Sequence, residues 1–248
     1  MIMFSAPYSQ LAQIYDRVMV HVNYKMWASY VKNLYQFAEV KIEKVVDLSC
    51  GTGKHISFLL NDNNSFTGAD LSRKMVLAAK ANLKKNNRTS FLVNDARNIA
   101  LKNQSTDVLL MLYDSINYLL EDLEVESLFN EIYRVLTPGG IFIFDYVTEE
   151  GLKECFDGYY ESDSWDGMAY ERHSNYSQKE KLQYNRFNLL FNGQPFFEEH
   201  VQRIRPSAEW KKFIKKSKVH LCAEFSNFSN SKPNIKSQRI HFVCRKNL

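Results

Sequence analysis

The sequence predicts an α/β fold: a mostly parallel β-sheet covered by helices, with an antiparallel β insertion after the fifth strand. Three observations predict it. Strand-type and helix-type runs alternate with little interruption as far as residue 146, the pattern of successive βαβ units. The apolar run Val45-Val46 passes through Asp47 into Leu48-Ser49-Cys50-Gly51-Thr52-Gly53-Lys54, a buried strand that ends in a tight glycine turn and opens a helix. From residue 166 to 204 the pattern changes to three β-type runs, with Asn192-Gly193 supplying a type I′ hairpin signal between the second and third.

Taken in order, strands are predicted at 44–48, 65–69, 90–93, 107–112 and 140–146. The helix at 54–61 follows the glycine turn. The helix at 72–86 has Ser72 as N-cap and a basic last turn, Lys84-Lys85-Asn86, that suits the negative end of the helix dipole. The helix at 123–136 places Val125, Leu128, Phe129, Ile132, Val135 and Leu136 on one stripe before Thr137-Pro138-Gly139-Gly140 stops it. The inserted runs span 167–176, 182–191 and 196–205. A two-residue turn at Asn192-Gly193 sets Arg186 opposite Glu199, and a turn at Gln178-Lys179 sets Arg186 opposite Glu171 as well, both pairs of opposite charge. The other face carries Met168, Tyr170, Phe187, Leu189 and Phe196, with Arg172 and His200 toward one end, and is expected to cover a site. A helix at 207–216 and strands at 219–225 and 239–244, joined by the polar, turn-rich segment 226–237, complete the chain.

Bulk properties narrow the class. A length of 248 residues suits one elaborated α/β domain. Hydrophobic content of 45% with 24% charged residues is ordinary for a globular protein and speaks against disorder or a fibrous class. The net charge of +4 is mild, and much of the excess lies at 210–216, where Trp210, Phe213 and Ile214 fall at helical spacing between lysines: an amphipathic surface helix rather than a nucleic-acid patch. Cys50, Cys155, Cys222 and Cys244 show no C-x-x-C pair and no zinc-type partnering, so no metal is expected. Neither a signal-peptide core nor an apolar run of the ~18 residues that span a bilayer is present, and a soluble, cytoplasmic protein is the expectation.

The glycine turn selects a cofactor. A dinucleotide fold wants G-x-G-x-x-G, and Ile56 occupies the third glycine position; a phosphate-binding P-loop wants G-x-x-x-x-G-K-[ST], which Gly51 to His55 does not supply. The Asp-x-x-x-Gly-x-Gly form of Asp47 to Gly53 instead resembles motif I of class I S-adenosylmethionine-dependent methyltransferases. Gly68-Ala69-Asp70-Leu71 ends the second strand with an acid near the ~20-residue offset of ribose-binding carboxylates. Leu71 and Met75 offer apolar walls for an adenine ring, Asp95 in Asn94-Asp95-Ala96 an acceptor for its amino group, and Leu112 a strand end where donor and acceptor meet. With Leu136-Thr137-Pro138-Gly139-Gly140, these motifs stand in the order and spacing of that family over roughly residues 40 to 148.

The resemblance implies a Rossmann-like seven-stranded sheet with an antiparallel last strand. Its divisions are an N-terminal helical cap at 1–40, the α/β domain at 41–148 plus 206–248, and an inserted sheet covering the active site at 149–205. It implies S-adenosylmethionine as cofactor, with S-adenosylhomocysteine as product, held by Asp47, Ser49, Gly51, Gly53, Asp70, Leu71, Met75, Asp95, Ala96 and Leu112. The segments around Tyr8, Ile14-Tyr15-Asp16, Tyr24-Lys25-Met26-Trp27, Asp114 to Leu119 and Ile143-Phe144-Asp145 resemble small-molecule methyltransferases, among them amino-sugar N-methyltransferases and relatives of glycine N-methyltransferase. By that analogy Tyr15 and Trp27 touch the cofactor, while Asn23 replaces an acid frequent in the group.

Methyl transfer from a sulfonium is an in-line displacement in which the protein aligns the partners and excludes water, so a general base is optional. Tyr118, His173 and His200 are the candidates to take a proton. The expected acceptor is a small-molecule amine or hydroxyl. Nucleic acid is not expected as a partner, because Tyr113-Asp114-Ser115-Ile116 replaces the Asp/Asn-Pro-Pro-Tyr/Phe of enzymes acting on exocyclic base amines. The competing readings are a cofactor-binding protein without turnover and an enzyme with a protein or RNA acceptor.

Overall fold

The computed structural model describes residues 2–61, 63–84 and 86–248. Its main sheet has the order β11-β12-β6-β5-β2-β3-β4, built from β2 (Lys44–Asp47), β3 (Ser65–Asp70), β4 (Thr89–Val93), β5 (Thr106–Met111), β6 (Leu136–Val147), β11 (Val219–Ser226) and β12 (Arg239–Lys246). The first five strands of this sheet pair in parallel, and β12 enters antiparallel between β6 and β11. Chain order reverses between β2 and β5, which leaves a crevice outside their carboxyl ends.

Helices cover both faces. On one, the predicted stripe of α5 (Asp122–Val135) packs with Trp210, Phe213 and Ile214 of α7 (Ser207–Lys216) over Phe142, Phe144 and Phe242 of the sheet. The lysines of α7 are left outside this contact, so the helix is amphipathic as its spacing predicts. On the other face, Trp27, Val31 and Leu34 of α2 (Tyr24–Leu34) meet Val45, Leu110, Ile143 and Val243, with α3 (Ile56–Leu59) and α4 (Arg73–Asn82) alongside. Ser72 caps α4 by accepting from the Met75 N–H. The helix stops at Asn82, short of the predicted end at residue 86; Lys85 of the expected basic turn lies outside the described residues.

A second sheet has the order β1-β10-β9-β8-β7, from β1 (Met3–Ser5), β7 (Tyr159–Trp165), β8 (Met168–Ser177), β9 (Leu182–Phe191) and β10 (Gln194–Arg203). It follows β6 through α6 (Glu149–Cys155), whose N-cap is Thr148. Two of its strands go beyond the three expected. β7 is joined to β8 by Asp166-Gly167, both left-handed at φ 44° and 76°, and β1 pairs in parallel with β10 at the sheet's edge. The N-terminal segment thus supplies a strand of this sheet as well as helices, including α1 (Tyr15–Val18).

The Asn192-Gly193 turn sets Arg186 opposite Glu199, with a 2.7 Å ion pair. The second expected pair does not form. β8 and β9 are joined by four residues, 178–181, with Lys181 left-handed at φ 58°, so the register moves by two and Arg186 lies opposite His173 while Glu171 lies opposite Asn188. The covered face is divided. At one end Tyr170, Phe187, Leu189 and Phe191 pack on Leu11, Ile14 and Val18 of the N-terminal segment. At the other, Ser174, Gln183, Asn185, Glu198, His200 and Gln202 are buried polar groups.

Candidate active site

The carboxyl ends of β2 to β5 open onto a cavity of about 550 Å³, roofed by residues 6–9 and Tyr15 of the N-terminal segment. β2 delivers Asp47, fully buried, which turns back into the glycine turn. Its Oδ1 accepts the Ser49 N–H at 3.0 Å, and its Oδ2 lies 2.5 Å from His55 Nε2, off the line of a hydrogen bond. Gly51 and Gly53 adopt φ 53° and 72°, which a residue with a Cβ takes up only at a cost. A Cβ on Gly53 would press on Leu83 and Ala79 of the following helix region, so this glycine serves packing, whereas one on Gly51 would point toward Tyr15 at 3.8 Å across the cavity.

Asp70 closes the next wall. Its two carboxylate oxygens accept the Gly51 N–H at 2.9 Å and the Ser72 N–H at 2.8 Å, tying the ends of β2 and β3 together and leaving further lone pairs directed by neither bond. Burial pushes this carboxyl up to about 6 against the lowering effect of those two N–H groups. Beside it Leu71 is 67% exposed, an apolar side chain at the cavity wall with no protein partner to cover it, above the buried Met75. Asp95 and Ala96 form the far wall. The Asp95 carboxylate is engaged by Arg97, at 2.6 Å to Nη2, and that guanidinium holds it below the usual carboxylate range. A backbone cradle, a carboxylate with spare acceptor capacity and an apolar shelf together fit a cofactor carrying a ribose diol and an adenine ring.

The floor follows β5. Tyr113 and Asp114 are consecutive left-handed residues, at φ 60° and 51°, a strained arrangement that surrounding bonds must hold. Asp145 of β6 supplies them: its carboxylate accepts the N–H groups of Tyr113 at 2.7 Å and Asp114 at 2.9 Å. Arg239 of β12 pairs with both Asp145 and, at 2.7 Å, Asp114. Gln202 of β10 donates to Asp114 Oδ2 at 2.8 Å. Burial raises both aspartates while Arg239 opposes it.

The turn held in this way carries Tyr118 into the cavity wall, where a chain of polar groups begins. The Tyr118 hydroxyl lies 2.7 Å from that of Tyr8 and 3.0 Å from His200 Nδ1, and His200 Nε2 lies 3.3 Å from Glu198 Oε2. His200 and Glu198 are both buried. Burial pushes the phenols of Tyr8 and Tyr118 well above the ordinary tyrosine value, so both are neutral.

Of the residues expected at the site, Ser49, Gly51, Asp70, Leu71, Met75, Asp95, Ala96, Tyr15 and Tyr118 line the cavity. Asp47, Gly53 and Leu112 stand behind that lining. So does Trp27, which stacks on the Tyr113 ring at 4.1 Å. His200 is one hydrogen bond removed from it, through Tyr118. His173 is elsewhere, half-exposed on β8 beside Tyr160 and Glu171. Sequence pattern alone assigns no role to Glu198 or Arg239, and none beyond a motif to Tyr8, Asp114 and Asp145. The contacts that give them one join residues far apart in the chain.

The doubly wound sheet, its antiparallel final strand, the glycine turn and the acid after the second strand are those of the class I, Rossmann-like methyltransferase fold. Residues 45–140 match the family model described as a methyltransferase domain, and the chain has the fold of S-adenosylmethionine-dependent methyltransferases. It is 27% identical to a putative methyltransferase of Bacillus subtilis, YqeM, over 96% of this chain and 97% of that one. An S-adenosylmethionine-dependent methyltransferase from Clostridium acetobutylicum superposes with a TM-score of 0.81 at 22% identity, covering 97% and 99% of the two chains. The S-adenosylmethionine-bound amino pentose methyltransferase CalS10 of Micromonospora echinaspora gives 0.72 at 17% identity over 94% and 97%. At these identities the two structures share the fold. Among the described residues no helix is long and apolar enough to cross a membrane.

Proposed function

We propose that the chain methylates a small-molecule amine or hydroxyl by direct in-line transfer. In this reading residues 1–40 cap the donor, and the inserted segment 149–205 covers the acceptor. The observation that carries it is the roofed cavity, which runs from the glycine turn and Asp70 to the hydroxyls of Tyr8 and Tyr118. A volume of about 550 Å³ lies within the roughly 300–1,000 Å³ of small-molecule pockets. A roof made by the chain's own N-terminal segment suits a compact acceptor better than a polymer.

When bound, S-adenosylmethionine supplies an activated methyl group on a sulfonium. The chain's residues do the rest. Gly51 and Ser49 present backbone to the donor, Asp70 accepts from its ribose hydroxyls, and Leu71, Met75 and Ala96 enclose its adenine with Asp95 at the rim. Tyr15 closes over the glycine turn, while Asp47, Gly53, Leu112 and Trp27 hold these groups in position from behind. An amine acceptor must be neutral to attack, and a hydroxyl must shed its proton as the new bond forms. Tyr118 takes that proton as its own passes to His200 Nδ1, and the imidazolium formed is balanced by the Glu198 carboxylate. His173 has no part in this reading.

The test is a screen with labelled methyl donor across amines, amino sugars, phenols and carboxylates, with protein and RNA fractions counted in parallel. Label in a small-molecule product, lost in Asp70→Ala, is the expected outcome. Label confined to polymer fractions, or cofactor binding with transfer to nothing, overturns the reading.

A further inference from the structure

Glu198 is a fully buried carboxylate whose bonds reach two different parts of the site. Its Oε2 accepts the N–H of Tyr8 at 2.8 Å, and its Oε1 accepts those of Gln10 and of Leu11, the latter at 3.1 Å. These N–H groups belong to the segment that roofs the cavity. The same Oε2 lies 3.3 Å from His200 Nε2. Tyr8, held at φ 60°, returns to the group through its hydroxyl, 2.7 Å from Tyr118, while its carbonyl accepts from Ser72 Oγ at 2.8 Å at the start of α4. One carboxylate therefore fixes the roof and touches the imidazole at the end of the hydrogen-bonded chain. Neither task is served by the sheet register alone, because the β10 backbone is already paired on both sides by β9 and β1.

We propose that Glu198 is a positioning residue that latches the N-terminal roof over the donor cavity and holds His200 as its Nε2–H tautomer, with Nδ1 free to accept from Tyr118. A ring whose Nε2–H donates to a carboxylate presents a lone pair at Nδ1. Docking of residues 8–11 and readiness of the proton acceptor then depend on one group, so the site is competent for proton removal when it is closed. This rests on the proton path proposed above, but its test needs no acceptor, so failure of the transfer screen and failure of the latch are separate results.

The experiment uses the full chain with S-adenosylhomocysteine as probe. Imidazole 15N shifts, assigned through loss of a signal in His200→Asn, are expected to show the Nε2–H tautomer. In Glu198→Gln the tautomer preference is lost, amide exchange at Tyr8, Gln10 and Leu11 rises at least tenfold, and S-adenosylhomocysteine dissociates at least tenfold faster. Glu198→Asp is expected to restore part of all three, and His200→Asn to leave those amides protected. An Nδ1–H tautomer in the unmodified protein overturns the proposal without recourse to any variant, so a Glu198→Gln chain that fails to fold does not shield it. Amide exchange in Glu198→Gln that matches the unmodified chain overturns it too.

Discussion

Asp145 accepts the backbone N–H of Asp114 at 2.9 Å while both carboxylates share the guanidinium of Arg239. One fully buried and one largely buried acid on a single cation make the loss of Arg239 costly. Replacing it by Met leaves the buried Asp145 and the largely buried Asp114 without a counter-charge, and breaking a buried pair in this way costs about 3–5 kcal/mol. Urea unfolding of Arg239→Met is expected to show that loss, and a change under about 1 kcal/mol would count against a clamp at this position.

Asp70 gives a pH dependence with a definite sign. Its folded-state value of about 6 lies above the ordinary 3.8, so the proton it retains favours the ligand-free folded chain at low pH, and that contribution is lost as the pH rises through about 6. Donor binding as proposed runs the opposite way, because ribose hydroxyls would donate to the ionised form. Calorimetric titration with S-adenosylhomocysteine is expected to give constant affinity above pH 7 and roughly tenfold weaker binding per unit below about 6. Asp70→Asn is expected to bind weakly at every pH with no such slope.

Tyr118→Phe removes one hydroxyl from the proposed proton path and leaves the cavity groups around Asp70 in place. Once an acceptor is in hand, turnover is expected to fall by about 10²–10⁴-fold, the usual share of general acid–base catalysis. S-adenosylhomocysteine affinity is expected to stay within about twofold of the unmodified chain, since Tyr118 has no part in the donor contacts assigned above. Equal losses in turnover and affinity would instead make the tyrosine a packing residue.

Gly68 tests the close approach of β3 to β4. A Cβ there would lie 2.6 Å from the Phe91 ring and 3.0 Å from Cys50 Sγ, at the base of the glycine turn. Gly68→Ala is expected to cost about 1–3 kcal/mol through overpacking. Adding Phe91→Leu should return part of it in thermal unfolding, and a double variant no more stable than Gly68→Ala would place the strain elsewhere.

What could be read from the sequence was what depends on neighbours in the chain. The glycine turn, Asp70 and the helix over residues 207–216 are written in local pattern, and the structure has that helix at Ser207–Lys216. β7 escaped because Tyr-Tyr-Glu-Ser-Asp-Ser-Trp alternates half-buried and exposed positions with polar residues at its centre, so no apolar period marks it. The β8–β9 register escaped because Lys181, left-handed without being Gly or Asn, adds to a turn that composition does not announce. The latch and clamp lie further out of reach. Glu198 meets Tyr8 across 190 positions and Arg239 meets Asp114 across 125, and nothing local in either residue's surroundings names its partner.

The place of β12 bears on the order of assembly. It is the last strand in chain order, yet it lies inside the sheet between β6 and β11, and it carries Arg239 to the floor of the cavity. Until β12 pairs with β6, Asp114 and Asp145 lie at a seam that lacks the Arg239 cation. The strand that closes the sheet also supplies the charge that lets these two acids coexist. The floor of the cavity is therefore complete only when residues 239–246 are paired into the sheet, so its last component arrives from the far end of the strand order.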